Sequence, residues 1–133
     1  MKKLYLDIDG VLLTKDGSPA AYIVEFLEFA TSNFECYWLT THCDGDATAV
    51  FLYLVGKLPG EAIPFLEKIR PTKWKLWKSE AIDFSGDFLW LDDCAFEGDK
   101  EILADHQTLE KLITVDLVSR PDQLLDIINS KLL

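Results

Sequence analysis

The run Leu4-Tyr5-Leu6-Asp7-Ile8-Asp9-Gly10-Val11-Leu12 is apolar except for two carboxylates one residue apart, with a glycine directly behind them. No other feature constrains the chain as tightly. Side chains two apart in a strand share a face, roughly 6.5–7 Å from one another. Asp7 and Asp9 can therefore converge on one cation or phosphoryl group where such a strand ends. Gly10 allows a sharp backbone turn and leaves room for an anionic ligand. The plain alternative is a buried strand that simply reaches water at Asp7, and the remaining sequence decides between the two.

Short apolar runs alternate with amphipathic stretches along the rest of the chain, the pattern of α/β units on a mostly parallel sheet. Strands are expected over Lys3–Ile8, Glu35–Leu39, Phe88–Leu91 and Leu112–Leu117. Ile63-Pro64-Phe65-Leu66 reads as a short edge strand, since a proline cannot donate to an interior ladder. Ser18-Pro19 supplies an N-cap and first-turn proline for a helix to Ser32, with Ile23, Phe26, Leu27 and Ala30 on one face. Further helices are expected from Asp46 through Val50 and Leu54 to Gly56, and from Pro71 with Trp74, Trp77 and Ala81 sharing a face. Two more run from Asp99 to Gln107 and from Ser119-Arg120-Pro121. There is no repeat, linker or low-complexity segment. The expected fold is α/β, one domain over residues 1–133, a Rossmann-like three-layer sandwich whose central sheet has about five strands.

The formal net charge is −10. Nucleic acids and anionic membranes recruit Lys and Arg, so this balance argues against both as partners. Some of the acids could instead surround a cation. Cys36, Cys43 and Cys94 are an odd set without C-x-x-C spacing, which speaks against a disulfide framework or a zinc site and suits a reducing compartment. Cys43 and Cys94 follow the two later motifs closely and could approach each other, although ordinary thiols explain them equally. An acid at Asp7 interrupts the N-terminus before a signal-peptide apolar region could develop. No apolar run approaches the roughly 20 residues of a membrane helix. A cytoplasmic protein is expected.

Three expected strands end in oxygen-bearing residues: Asp7 and Asp9, then Thr40 (or Thr41), then Asp92 and Asp93. Parallel strands bring their carboxyl ends to one edge, where open α/β sheets bind ligands. Several carboxylates together call for a cation, and an all-oxygen set favours Mg²⁺, the usual companion of phosphate. A lysine is then needed to balance charge, and Lys73, Lys75 and Lys78 precede the Phe88 strand.

In this order the motifs Asp7-x-Asp9-Gly10-Val11-Leu12, Thr40, a lysine and Asp92-Asp93 resemble the haloacid dehalogenase superfamily of phosphatases and phosphotransferases. The resemblance spans about residues 3–94. It implies Asp7 as nucleophile forming an aspartyl-phosphate, with Asp9 as general acid and then general base. Thr40 would hydrogen-bond a phosphoryl oxygen. Asp92 would ligate Mg²⁺, with Asp93 holding it through water or orienting the lysine, and Asp7 and the Asp9 backbone carbonyl completing the metal shell. Lys78 is the lysine chosen, because Lys78-Ser79-Glu80-Ala81-Ile82 matches the family's lysine ahead of a small-apolar pair. Lys75 and then Lys73 are its alternatives.

Gly86-Asp87-x-x-x-x-Asp92 spells another form of the last motif. Here, however, the intervening residues are the strand itself, which places Asp87 about 16 Å from Asp92, on the opposite edge. His42 could touch substrate, but a surface-loop histidine is the simpler reading. Asp44 and Asp46 share its loop, and helix capping explains Asp46. Glu97 and Asp99 either reach the metal's outer contacts or merely open a helix, and His106 reads as surface. Trp38, Trp74, Trp77 and Trp90 read as core rather than as a base-stacking platform, since no basic patch adjoins them.

Larger members of the resembling family insert a cap domain after the first or third strand. The stretches from Gly10 to Ser18 and from Gly56 to Pro71 are too short to hold one. A capless site is open and needs a bulky phosphorylated substrate, a partner chain or low specificity. Two other readings compete with a phosphomonoesterase. A receiver-type phosphoacceptor would carry its acceptor aspartate on the third strand, which by this reading ends in none. A catalytically idle relative would use the same pocket to bind metal or a partner. No G-x-G-x-x-G follows the first strand, so a dinucleotide-binding domain is excluded.

Overall fold

The computed structural model describes residues 1–133. Four parallel strands form the sheet, β1 (Lys3–Leu6), β2 (Glu35–Trp38), β3 (Phe88–Asp92) and β4 (Leu112–Thr114), in the order β2-β1-β3-β4. The helices are α1 (Ile23–Asn33), α2 (Thr48–Leu54), α3 (Ile63–Leu66), α4 (Glu97–Asp105) and α5 (Gln123–Ile127), the last continuing as a π-helical turn to Leu132. Because β2 and β3 lie on opposite sides of β1, the chain reverses its winding there, and a crevice opens beyond the carboxyl ends of β1 and β3.

Both sheet faces are covered, which is why the strands read as nearly continuous apolar runs. Leu4, Leu6, Cys36, Trp38, Leu89 and Leu91 face the larger core with α1, α2, α3 and α5. Tyr5, Phe88 and Trp90 face the opposite way, against Leu103 of α4 and Ile82. Asp7 and Asp92 continue this second parity. The register pairs Leu6 with Leu91, and the Asp7 N–H then donates to the Leu91 carbonyl at 3.1 Å, so the two aspartates leave the sheet side by side.

Several expectations need correction. Ile63–Leu66 is a helical turn, α3, not a strand; Pro64 sits in its first turn, where a missing N–H costs nothing. The place beyond β2 is taken instead by one bridge, Tyr37 to Arg70, closed by Trp38 N–H to Arg70 O at 2.8 Å and Arg70 N–H to Cys36 O at 2.9 Å. Pro71 follows and lacks the donor to continue it. The sheet therefore has four strands rather than five, and its third strand does end in aspartates.

No helix starts at Pro71; only a 3₁₀ turn, Lys78–Ala81, forms there. The Glu80 carboxylate accepts the N–H groups of Lys75, Leu76 and Trp77, which satisfies that segment without a helix. α1 begins at Ile23, not at Ser18-Pro19, because Leu13 bridges Pro19 and the Ala20 N–H donates to Leu12, keeping that stretch in the loop after β1. β4 is shorter than expected, ending at Thr114. Below it, Gln123 fastens α5 to the strand end, its amide donating to Thr114 O while its oxygen accepts the Asp116 N–H.

Candidate functional site

The carboxyl ends of β1 and β3 and the turn at Lys78 form one cluster. Lys78 Nζ donates to Asp92 Oδ2 at 2.8 Å and lies 3.3 Å from Asp7 Oδ2. Lys73 and Lys75 are exposed and reach neither carboxylate. The turn bearing Lys78 is pinned from α4, where buried Asp99 accepts the Ser79 N–H at 2.8 Å. Asp99 thus acts on the lysine's backbone and does not merely open its helix. Glu97 lies exposed, paired with Lys100.

Asp7, Asp92 and Asp93 each bring a carboxylate oxygen to within 4.8 Å of the others, an arrangement that could hold a metal ion. Asp7 is 8 % exposed and Asp92 1 %. Burial raises the Asp7 carboxyl to about 6, the Asp92 charge adds to the rise, and Lys78, the Ile8 N–H and the Thr40 hydroxyl partly offset it. Burial and the Asp92 charge also raise Asp93. Burial alone would lower Lys78, but Asp7 and Asp92 outweigh it and hold the ammonium charged. Three carboxylates, two of them buried, against one ammonium leave a negative excess that suits a divalent cation with oxygen ligands.

Gly10 has φ +81°, and a Cβ there would overlap the Asp93 carboxylate. Both the left-handed backbone and the close approach require glycine at this point. The Cys94 N–H donates to Asp92 Oδ1 at 2.9 Å and holds the first aspartate of the Asp92-Asp93 pair in place. Thr40 is fully buried just past the end of β2, its hydroxyl accepting the His42 N–H at 3.3 Å, whereas Thr41 is exposed.

Asp9 is more exposed and gripped from the side. Its Oδ2 lies 2.7 Å from His42 Nε2, and its Oδ1 accepts the Tyr53 hydroxyl at 2.8 Å. Partial burial pushes its carboxyl up, but the His42 and Tyr53 hydrogen bonds and the charges of His42 and Lys57 bring it below its ordinary value. His42 is therefore part of the site rather than a free loop residue. Tyr53 carries no signal of this role in the sequence, because on α2 it reads as one more aromatic of an amphipathic helix.

Other expected positions lie apart. Asp87 sits at the opposite edge, paired with Lys2 and Lys111. Asp46 accepts the Thr48 N–H at the start of α2, and Asp44 is exposed without a partner. His106 stacks on Phe84, just past the C-terminal end of α4. Trp38 and Trp90 are buried in the two cores, Trp74 packs beside the smaller one, and Trp77 lies flat against Gly98 of α4. Cys36, Cys43 and Cys94 are all free thiols.

A cleft of about 740 Å³ opens beside the carboxylates, with Gly10 and Asp93 at one end. It runs between the loop holding Lys15 and Asp16 and the loop after β4 holding Asp116 and Val118. Asp7 and Lys78 lie just outside it, so the cleft is space beside the cluster rather than the cluster itself. No helix is long and apolar enough to cross a membrane. Compared with protein-family models, curated proteins and solved structures, the chain matches none.

Proposed function

We propose that the chain is a Mg²⁺-dependent phosphomonoester hydrolase working through an aspartyl-phosphate on Asp7, as its resemblance to the haloacid dehalogenase superfamily implies. The observation that carries this reading is Lys78, whose ammonium joins Asp7 and Asp92 at 3.3 and 2.8 Å beside a third carboxylate, Asp93. Asp7, Asp92, Asp93 and the Asp9 backbone carbonyl are the groups that would hold Mg²⁺. When bound, the ion supplies positive charge against the phosphoryl oxygens and the carboxylates around them.

In this reading the Asp7 carboxylate attacks phosphorus while the bond to the ester oxygen breaks, and Asp9 gives that oxygen its proton. A water then attacks the aspartyl-phosphate and passes a proton to Asp9, releasing inorganic phosphate and restoring Asp7. Lys78 keeps Asp7 ionised and faces the charge that grows on the phosphoryl oxygens. The Thr40 hydroxyl offers them a hydrogen bond. The cleft beyond Gly10 and Asp93 gives the leaving group room, and without a cap it admits large phosphorylated substrates.

The receiver-type reading gains one observation, since β3 is the third strand and ends in Asp92-Asp93. In that case Asp92, not Asp7, would carry the phosphoryl group. Phosphorylation with acetyl phosphate and Mg²⁺, followed by borohydride trapping and peptide mapping, separates the two. A label on Asp7 that turns over rapidly supports the hydrolase. A long-lived label on Asp92 overturns it in favour of a phosphoacceptor.

A further inference from the structure

The two groups that hold Asp9 come from separate elements, His42 from the loop after β2 and Tyr53 from α2, yet their rings stack at 3.9 Å with an interplanar angle of 18°. Behind them Lys57 Nζ lies 4.2 Å from the centre of the Tyr53 ring and donates to the Tyr53 carbonyl at 3.1 Å. Both Asp9 oxygens thus meet donors that pack against each other, at 2.7 and 2.8 Å. An aspartate this exposed otherwise samples several rotamers, and two converging donors select one.

We propose that His42 and Tyr53 are positioning residues which fix the Asp9 carboxyl against the leaving-group oxygen. This inference rests on the hydrolase reading, in which Asp9 is the general acid. A carboxyl group offers about four lone-pair positions, so two donors leave others free for the travelling proton. As the phosphorus–oxygen ester bond breaks, that proton moves from Asp9 to the departing alkoxide. In the second half it returns to Asp9 from the attacking water. His42 and Tyr53 give no proton to the substrate; they hold Asp9 in place, and their hydrogen bonds also favour its carboxylate, the form that takes the proton from water in the second half.

Leaving-group dependence separates this role from general structural support. An alkoxide needs the proton as it departs, whereas a nitrophenolate scarcely does. kcat/KM would be measured with Mg²⁺ over phosphate monoesters ranging from p-nitrophenyl to simple alkyl, for the wild type, Tyr53→Phe, His42→Ala and His42→Gln. Tyr53→Phe keeps the stacked ring, and its melting temperature should stay near that of the wild type. It should lose roughly 10-fold on the alkyl ester and about 2-fold or less on the nitrophenyl ester. His42→Gln retains an amide donor and should recover most of what His42→Ala loses on the alkyl ester. Equal losses along the series, or no loss, overturn the inference while Asp7-dependent turnover in the wild type leaves the hydrolase reading standing. A wild-type chain without Asp7-dependent turnover of any ester overturns both.

Discussion

Asp7 is a costly residue for the fold. It binds its proton at about 6 in the folded chain against an ordinary value of 3.8. Between those values the folded state holds more protons than the unfolded one, so stability falls as pH rises through this window. The full cost is present above about 6 and absent below 3.8. Asp7→Asn should therefore be stabilising in chelator at pH 7.5, by about 1–3 kcal/mol, or several degrees in Tm. The gain should vanish near pH 3.5, and thermal melts at the two pH values check it. A lower Tm for the variant at pH 7.5 would show that the Asp7–Lys78 pair stabilises the fold rather than straining it. Asp7, Asp9 and Asp92-Asp93 were legible in the sequence because each follows an apolar strand run. Tyr53 was not, because helical periodicity alone does not reveal which polar tip finds a carboxylate across the fold.

At the scale of elements, strand runs were legible where both sheet faces are buried, and so was a last helix after Ser119-Arg120-Pro121, although α5 begins only at Gln123. The segment after Pro71 misled, because its backbone donors are met by the Glu80 side chain, a local preference that apolar spacing does not report. The edge strand misled for a related reason: Arg70 makes a single bridge beside β2, and the neighbouring proline ends it. These irregular pieces matter to the site because one of them carries Lys78. Asp99 ties that turn to α4 through the Ser79 N–H, at 2.8 Å. Asp99→Ala should cost about 1–3 kcal/mol in stability. It should also lower turnover in step with displacement of Lys78, whereas Glu97→Ala, one turn-face away and exposed, should change neither. Urea melts and initial rates on the two variants check this. Unchanged activity in a folded Asp99→Ala chain would mean that Lys78 is held by its carboxylates alone.

As a whole, the molecule places its charged cluster where a doubly wound sheet reverses direction and leaves that edge uncovered. The α/β class, the parallel sheet and the edge bearing the aspartates follow from alternating apolar runs and their terminal carboxylates. The precise strand count and the grip on Asp9 depend on contacts between distant segments. With a net charge of −10 and three clustered carboxylates against Lys78, the chain as a whole favours a cation at the site and a substrate brought in by its phosphate rather than by a basic surface. Hydrolysis of p-nitrophenyl phosphate, measured with Mg²⁺, with EDTA and with Asp7→Asn and Lys78→Met, is the decisive assay of the aspartyl-phosphate chemistry. Turnover should require the metal, be abolished by Asp7→Asn, and fall at least ~100-fold in Lys78→Met. Turnover that survives chelation or survives Asp7→Asn would contradict it.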